Sequence, residues 1–329
     1  MGYIQVSVII PVFNSEKYLP ALFDSLQQQK DVFFEVIAIN DGSTDSSLEL
    51  LKHYELLIPN MMVINQRNMG LSCARNAGIK QARGEWIMFI DSDDILMPNT
   101  IRTWLDYAKQ NKLDVLIGNG FKFHSDINDM GGVTVWSLQP HGRVITGKEW
   151  LQCTAFHKEF PYNVWLQLIR ADILKAHNLK FVPKILNEDI LWTTQLAIAA
   201  ERVGFYKNPL YGYRWNINSI SNSLSKEIIS SRIDSYIKVI SELIDMAEAN
   251  RGDENLYKAI LSLARRESGQ LRSLLKNKLS DRVLQGKFSK KLFQINIFPR
   301  LLPGISGVSD MWRLVRLYLT ALYFSSGRG

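Results

Sequence analysis

Asp91-Ser92-Asp93-Asp94 places three carboxylates within four residues, directly after the apolar run Trp86-Ile87-Met88-Phe89-Ile90. Charged side chains are seldom buried without a partner, so acids gathered at such a point call for a cation. A divalent metal carrying a diphosphate meets that demand. Mg²⁺ and Mn²⁺ commonly bind through one or two carboxylates plus substrate phosphates. A solvated acidic turn is the competing reading of the same four residues.

A short, wholly apolar run reads as a buried strand of a parallel sheet, and open α/β sheets bind ligands beyond the carboxyl ends of their strands. The preceding chain supplies the neighbours such a strand needs. Gln5 to Val12 reads as a first strand ending in Pro11-Val12-Phe13-Asn14, with Ser15 placed to cap a helix built on Leu19, Leu22, Phe23 and Leu26. Phe33 to Asn40 reads as a second strand ending in Asp41-Gly42-Ser43-Thr44-Asp45, and Ser46 with Glu49 resembles a capping box. Asp45 itself reads as a turn or cap residue. Met61 to Asn65 is a third strand. Leu71 to Arg83 is a small-residue helix carrying Arg75 and Asn76, Thr100 to Gln110 is another helix, and Asp114 to Gly118 is a further strand. Strands alternating with single helices predict a parallel sheet with right-handed crossovers. Asn14, Asp41 and Asp91 to Asp94 would then line one crevice. No G-x-G-x-x-G turn follows the first strand and no Walker-type lysine loop exists, so the acids are left to manage any phosphates.

With 329 residues, 46% hydrophobic and 22% charged, the chain can hold one large domain with additions, or two domains. Cys73 and Cys153 match no metal spacing, and a reducing cytoplasm fits them best. The N-terminus has no signal-peptide pattern and no run of 18 apolar residues suggests a transmembrane helix. The net charge of +7 is uneven: Arg265 to Gly329 holds 13 Lys/Arg against 3 Asp/Glu, leaving 26 basic and 29 acidic residues elsewhere. A basic tail points to an anionic partner surface. Nucleic acid is the weaker choice, because no basic–aromatic RNA motif or zinc spacing accompanies the charge.

Four segments in register carry a family resemblance. They are Val8-Ile9-Ile10-Pro11-Val12-Phe13-Asn14, Asn40-Asp41-Gly42-Ser43-Thr44-Asp45, Asn68-Met69-Gly70-Leu71-Ser72-Cys73-Ala74-Arg75-Asn76-Ala77-Gly78, and Gly84-Glu85 leading into Asp91-Ser92-Asp93-Asp94. Together they resemble the inverting family 2 glycosyltransferases of GT-A fold. The match is close over the first third and looser to about Asn222. The resemblance implies an α/β fold, a GT-A-type nucleotide-binding sheet flanked by helices, here with a helical C-terminal extension. It implies a metal-dependent enzyme using Mn²⁺ or Mg²⁺ and a UDP-sugar. Pro11, Phe13 and Asn14 would lie around base and ribose, and Asp41 would accept a hydrogen bond from uracil or ribose. Arg75 would stand near the donor phosphates or sugar. Asp93 would be the direct metal ligand, with Asp91 beside it or turned to the ribose and Ser92 between them in the donor site. Arg75 as a surface or ion-pair residue, and Pro11 as a strand terminator, are the structural alternatives.

An inverting transfer needs a base on the acceptor side. The family places it in a Glu-Asp pair before an apolar helix, which Glu188-Asp189 matches; Asp189 would be the base and Glu188 an acceptor-side neighbour. An N-cap and first-turn acids complementing a helix dipole is the alternative. Trp165 could stack on an acceptor sugar or belong to the core. Tyr211 to Ser221 resembles a loop that closes over the donor, with Arg214 meeting a phosphate. The spacing of the middle motifs most resembles bacterial lipopolysaccharide-core transferases, including hexose and glucuronic acid transferases, so a glycan or lipid-linked glycan is the implied acceptor. A non-catalytic nucleotide-sugar or glycan binding protein is the rival function. A sugar-phosphate nucleotidylyltransferase would want a Gly-rich, Lys-containing loop that is missing.

The expected organisation is a donor half (1–120), an acceptor-side half (121–222), a helical extension (223–285) and a basic tail (286–329). Ser230 to Lys278 reads as helix. Gly286 to Gly307 reads as a poorly ordered connector. Trp312 to Phe324 reads as an amphipathic helix with Arg313, Arg316 and Thr320 on one face. That helix suits either an anionic membrane surface at the inner leaflet or the protein core.

Overall fold

The first two strands, β1 (Val6–Val12) and β2 (Phe34–Asp41), are buried at nearly every position, as expected of strands covered on both faces. The computed structural model describes residues 3–124, 134–157, 159–215, 225–305 and 307–326. Helix α1 (Leu19–Gln27) follows β1, and α2 (Ser47–Leu57) joins β2 to β3 (Met61–Gln66). Helix α3 (Leu71–Gln81) then leads into β4 (Trp86–Phe89). These four strands are parallel in the order β3-β2-β1-β4. Register sets Asn40 opposite both Val12 and Asn65, so the polar strand ends are level. Pro11 lies inside β1, two residues beyond Ile9, whose carbonyl accepts the Ile90 N–H at 3.0 Å. Alternation turns Pro11 toward the same side, beyond the end of β4, so its missing N–H breaks no ladder.

Beyond β4 the sheet departs from the parallel expectation. After β5 (Ile95–Leu96), α4 (Thr100–Gln110) and β6 (Val115–Phe123), the chain forms β7 (Val144–Ile145), α5 (Gly147–His157) and β8 (Gln167–Arg170). Strand β8 enters antiparallel between β4 and β6. Helices α6 (Ala171–Ala176) and α7 (Glu188–Ala199) precede β9 (Val203–Arg214), which runs parallel to β6 and antiparallel to β5. Tyr211 to Arg214 is therefore strand, where a covering loop was expected; Asn216 to Ser221 lie outside the described residues. Ser15 does not cap α1, and Ser46 makes no cap bond for α2. Asp45 does that work, accepting from Ser47 N at 3.0 Å.

The chain forms two compact units, Met1–Trp150 with Pro161–Lys184 and Gln195–Asn216, and Leu151–Phe160 with Ile185–Thr194 and Ile217–Gly329. In the second, the single expected helix is two, α8 (Lys226–Ala249) and α9 (Glu254–Ser273), broken at Gly252 and restarted by Asp253, whose carboxylate accepts from Leu256 N at 3.0 Å. The expected connector is also helical: α10 (Arg282–Gln294) and α11 (Ile297–Leu301) bury Phe288, Leu292, Ile297, Phe298 and Leu301. Helix α12 (Val308–Ser325) completes the unit. Arg265, fully buried on α9, donates to the carbonyls of Leu301, Pro303 and Gly304 at 2.9–3.0 Å and to Asp310, tying α11 and α12 to α9. Among the described residues no helix is long and apolar enough to cross a membrane.

Gly78 lets α3 settle onto the sheet, because a Cβ there would stand 2.4 Å from Ile9 Cγ2 and 3.0 Å from Ile39 Cδ1. Both partners are β-branched and buried, so they yield little. Gly78→Ala should lower stability by about 1–3 kcal/mol in urea unfolding, the usual cost of overpacking.

Candidate active site

The loop after β4 carries the acids, and the sheet's far strands hold it. Asp94 is fully buried, and its two oxygens accept from the Tyr211 hydroxyl at 2.7 Å and the Arg214 N–H at 2.8 Å, both on β9. The same hydroxyl accepts the Asp91 N–H at 3.2 Å. Arg214 turns back over the loop, its Nε donating to the Asp93 carbonyl at 2.8 Å and its guanidinium lying 4.4 Å from the Phe123 ring centre. From α3, buried Arg75 reaches Asp91 with Nη2 2.9 Å from Oδ1, and its guanidinium sits over the Phe181 ring. Ser92 Oγ pairs with Ser15 Oγ at 2.7 Å, which fastens the loop to the end of β1.

The other strand ends are braced in the same way. Asn14 has φ +50°, accepts from Thr44 N at 2.8 Å, and takes the Ser43 hydroxyl as acceptor for its own N–H. Phe13 beside it is half exposed. Asp41 is buried and accepts from Gln66 Nε2, Met69 N and Gly70 N at 2.7–2.9 Å. It thereby fixes the loop that starts α3 and hence Arg75. Trp165 is buried, stacked on Tyr211 with centroids 4.5 Å apart and on Tyr213 at 5.2 Å, so it stiffens the strand that holds Asp94.

Electrostatically the loop is overloaded with negative charge. Burial, then Asp91, pushes Asp93 up to about 6; burial, then Asp93 and Asp91, holds Asp94 well above the usual carboxylate range. Burial and then Asp94 also raise Tyr211, which keeps its proton to donate. Among the described residues no group of three or more His, Cys, Asp or Glu is arranged to hold a metal. The donor set fits a cation bound by one or two carboxylates, with a diphosphate completing its shell, better than an all-protein cage. Repulsion among the three acids is what such a cation would relieve.

Asp189 and Glu188 open α7 within the second unit. Asn187, with φ +61°, precedes them, and the Ser235 hydroxyl accepts the Leu186 N–H at 2.9 Å. Burial, then Glu267, drives nearby Tyr236 up to about 12, with Asp189 a smaller contributor.

The model of the family "Glycosyl transferase family 2" matches residues 7–162. The Escherichia coli protein YibD, an uncharacterised glycosyltransferase, is 32% identical over 254 residues, 76% of this chain and 73% of its own. This chain belongs to glycosyltransferase family 2. Its fold is that of solved relatives: Staphylococcus aureus TarS residues 1–349 with UDP-GlcNAc superimposes with a TM-score of 0.72 at 19% identity, covering 99% of this chain and 91% of that one. TarS is named a poly(ribitol-phosphate) β-N-acetylglucosaminyltransferase. A Pyrobaculum calidifontis mannosyltransferase bound to GDP-Man and Mn²⁺ follows at 0.55 and 12% identity, covering 99% and 88%. The protein is thus a GT-A-fold glycosyltransferase, and the acids after β4 lie within the matched segment.

Tyr211 is the residue sequence reasoning missed in this role, since nothing within its own segment marks a partner in the loop after β4. Two outcomes test the loop. A carboxylate whose folded pKa is raised loses stability as pH rises from its ordinary 3.8 to about 6, and the penalty is complete above that. Asp93→Asn should therefore stabilise the metal-free protein at pH 8 by on the order of 1–3 kcal/mol and leave it unchanged below about pH 4. Tyr211→Phe should cost about 1–3 kcal/mol, since Asp94 stays buried but loses its hydroxyl donor. Urea titrations at the two pH values measure both.

Proposed function

We propose that this enzyme transfers one sugar, with inversion, from a UDP-sugar to a glycan or lipid-linked glycan, in lipopolysaccharide or surface polysaccharide synthesis. The observation that carries the reading is the acidic loop after β4, pinned by Ser15, Arg75, Tyr211 and Arg214 at the carboxyl ends of the parallel strands. Family membership and the UDP-GlcNAc complex of TarS support the choice of donor. The free thiols of Cys73 and Cys153 support a reducing cytoplasm as its compartment.

In this reading Phe13, half exposed beside Pro11 and Asn14, offers its ring to the base, while Asn14 and Asp41 hold the loops that border it. Asp93, with Asp91 beside it, would hold Mn²⁺ or Mg²⁺, and the ion would supply countercharge for the diphosphate. Arg75 aims Asp91 through their ion pair, and Arg214 adds positive charge beside Asp93. On the acceptor side, Asp189 accepts the proton of the attacking hydroxyl as its oxygen bonds to the anomeric carbon. The bond from that carbon to the diphosphate breaks with its electron pair leaving on UDP. Glu188 stands beside the base, and Asn187 shapes the turn that presents it.

Two variants separate these roles. Asp93→Ala should abolish metal-dependent UDP binding, read by calorimetry with Mn²⁺. Asp189→Asn should bind donor normally yet lower turnover by roughly 10²–10⁴, the usual scale of general-base catalysis. A panel of UDP-sugars scored for UDP release supplies the assay, and full activity of Asp189→Asn would assign the base elsewhere.

A further inference from the structure

Helix α12 has two apolar faces, and only one of them is covered. Asp310, Leu314, Leu317, Thr320 and Ala321 are buried. At about 100° per residue these occupy one arc of the helix, and Val308, Met311, Trp312, Leu319, Leu322 and Tyr323 fall together on the opposite arc, roughly 120° wide. All six are 42–75% exposed. Arg313, Arg316 and Thr320 share one helical face, as their spacing requires, but Thr320 is buried, its hydroxyl accepting from Arg272 Nε at 3.1 Å, and Arg313 pairs with Asp310 at 2.7 Å. Asp310, Arg313 and Thr320 are thus engaged with the rest of the unit, and an unbroken apolar stripe is left outside. A contiguous exposed apolar patch of this kind marks an interaction surface.

The charge around the stripe selects the partner. Exposed Arg316 borders it on α12, and the exposed Arg282 guanidinium lies 5.3 Å from the Phe324 ring and 5.9 Å from that of Tyr323, at the stripe's far end. Lys276, Lys278, Lys287 and Lys290 are also exposed. The three acids between Arg265 and Gly329 offset little of this at the surface. Glu267 and Asp310 are buried, and Asp281 is paired with Lys226 while capping α10. A second copy of the chain would bring the same cations together, which opposes symmetric pairing through this face. We propose that the outer face of α12 docks on an anionic phospholipid bilayer, lying in the plane of the interface. Trp312 and Tyr323 would sit at headgroup depth, Leu319 and Leu322 below it, and Arg282 and Arg316 among the lipid phosphates. The surface goes beyond the proposed reaction and does not depend on which sugar is transferred.

Removing α12 would uncover Leu314, Leu317 and Ala321's partners in the core, so substitutions at exposed positions make the cleaner test. The full chain should float with vesicles of phosphatidylcholine containing about one-third phosphatidylglycerol, and be released by high salt, while phosphatidylcholine alone retains little. Trp312→Glu with Leu319→Glu should abolish flotation. Arg282→Glu with Arg316→Glu should weaken it by about tenfold or more. Both doubles should keep the unfolding midpoint and metal-dependent UDP binding of the parent, which separates loss of docking from loss of the donor site. Failure of the parent to float, or flotation unchanged in both doubles, overturns the proposal. So does a dimer in light scattering that Trp312→Glu with Leu319→Glu dissociates, for the stripe would then belong to a second copy.

Discussion

The carboxylate of Asp94 has no solvent and two near neighbours of its own charge, yet the loop that bears it is held in place. Tyr211 and the Arg214 backbone provide its hydrogen bonds, and both come from a strand that follows more than a hundred residues later. This contact decides where the other acids stand. With Asp94 drawn inward, Asp91 is left where Arg75 meets it, and Asp93 lies between them, largely buried and repelled by Asp91. A cation bound at such a loop would relieve repulsion stored in the folded protein, and the stacked rings of Trp165, Tyr211 and Tyr213 keep the loop from relaxing away from it.

Arg265 plays the corresponding part in the second unit. A buried guanidinium is costly unless its donors are met. Here they are met by three carbonyls at the end of α11 and by Asp310 at the start of α12. One basic residue of the tail is therefore structural, while Lys287 and Lys290 on α10 and Lys276 and Lys278 before it remain at the surface.

The strands that end in Asn14, Asp41 and Asp91 were legible because a buried parallel strand is written as an apolar run closed by polar residues. The family motifs added roles that no periodicity encodes. What stayed hidden was pairing across distance: Ser15 with Ser92, and Tyr211 with Asp94, join segments whose local patterns say nothing of each other. The reversed strand β8 was hidden for a related reason, since four residues after a 3₁₀ turn carry no sign of direction. In the tail, Pro299 and the lysines outweighed the spacing of Phe288, Leu292, Ile297 and Leu301 in the reading. Pro299 is in fact tolerated because it falls in the first turn of α11. Which side of α12 is buried was out of reach, because a helix apolar on two sides does not reveal which side its neighbours take.

Strand β8 also sets an order of assembly. Strands β1 to β4 are contiguous and can pair as the chain emerges, but the free edge of β4 waits for Gln167–Arg170, some eighty residues further on. Until then a bare, apolar edge stands open, the kind of template on which unfinished chains stick to one another. Closing it late raises the contact order of the fold and slows its last step. The crevice at the strand ends is thus written early in the chain and becomes rigid only when its second half has been synthesised.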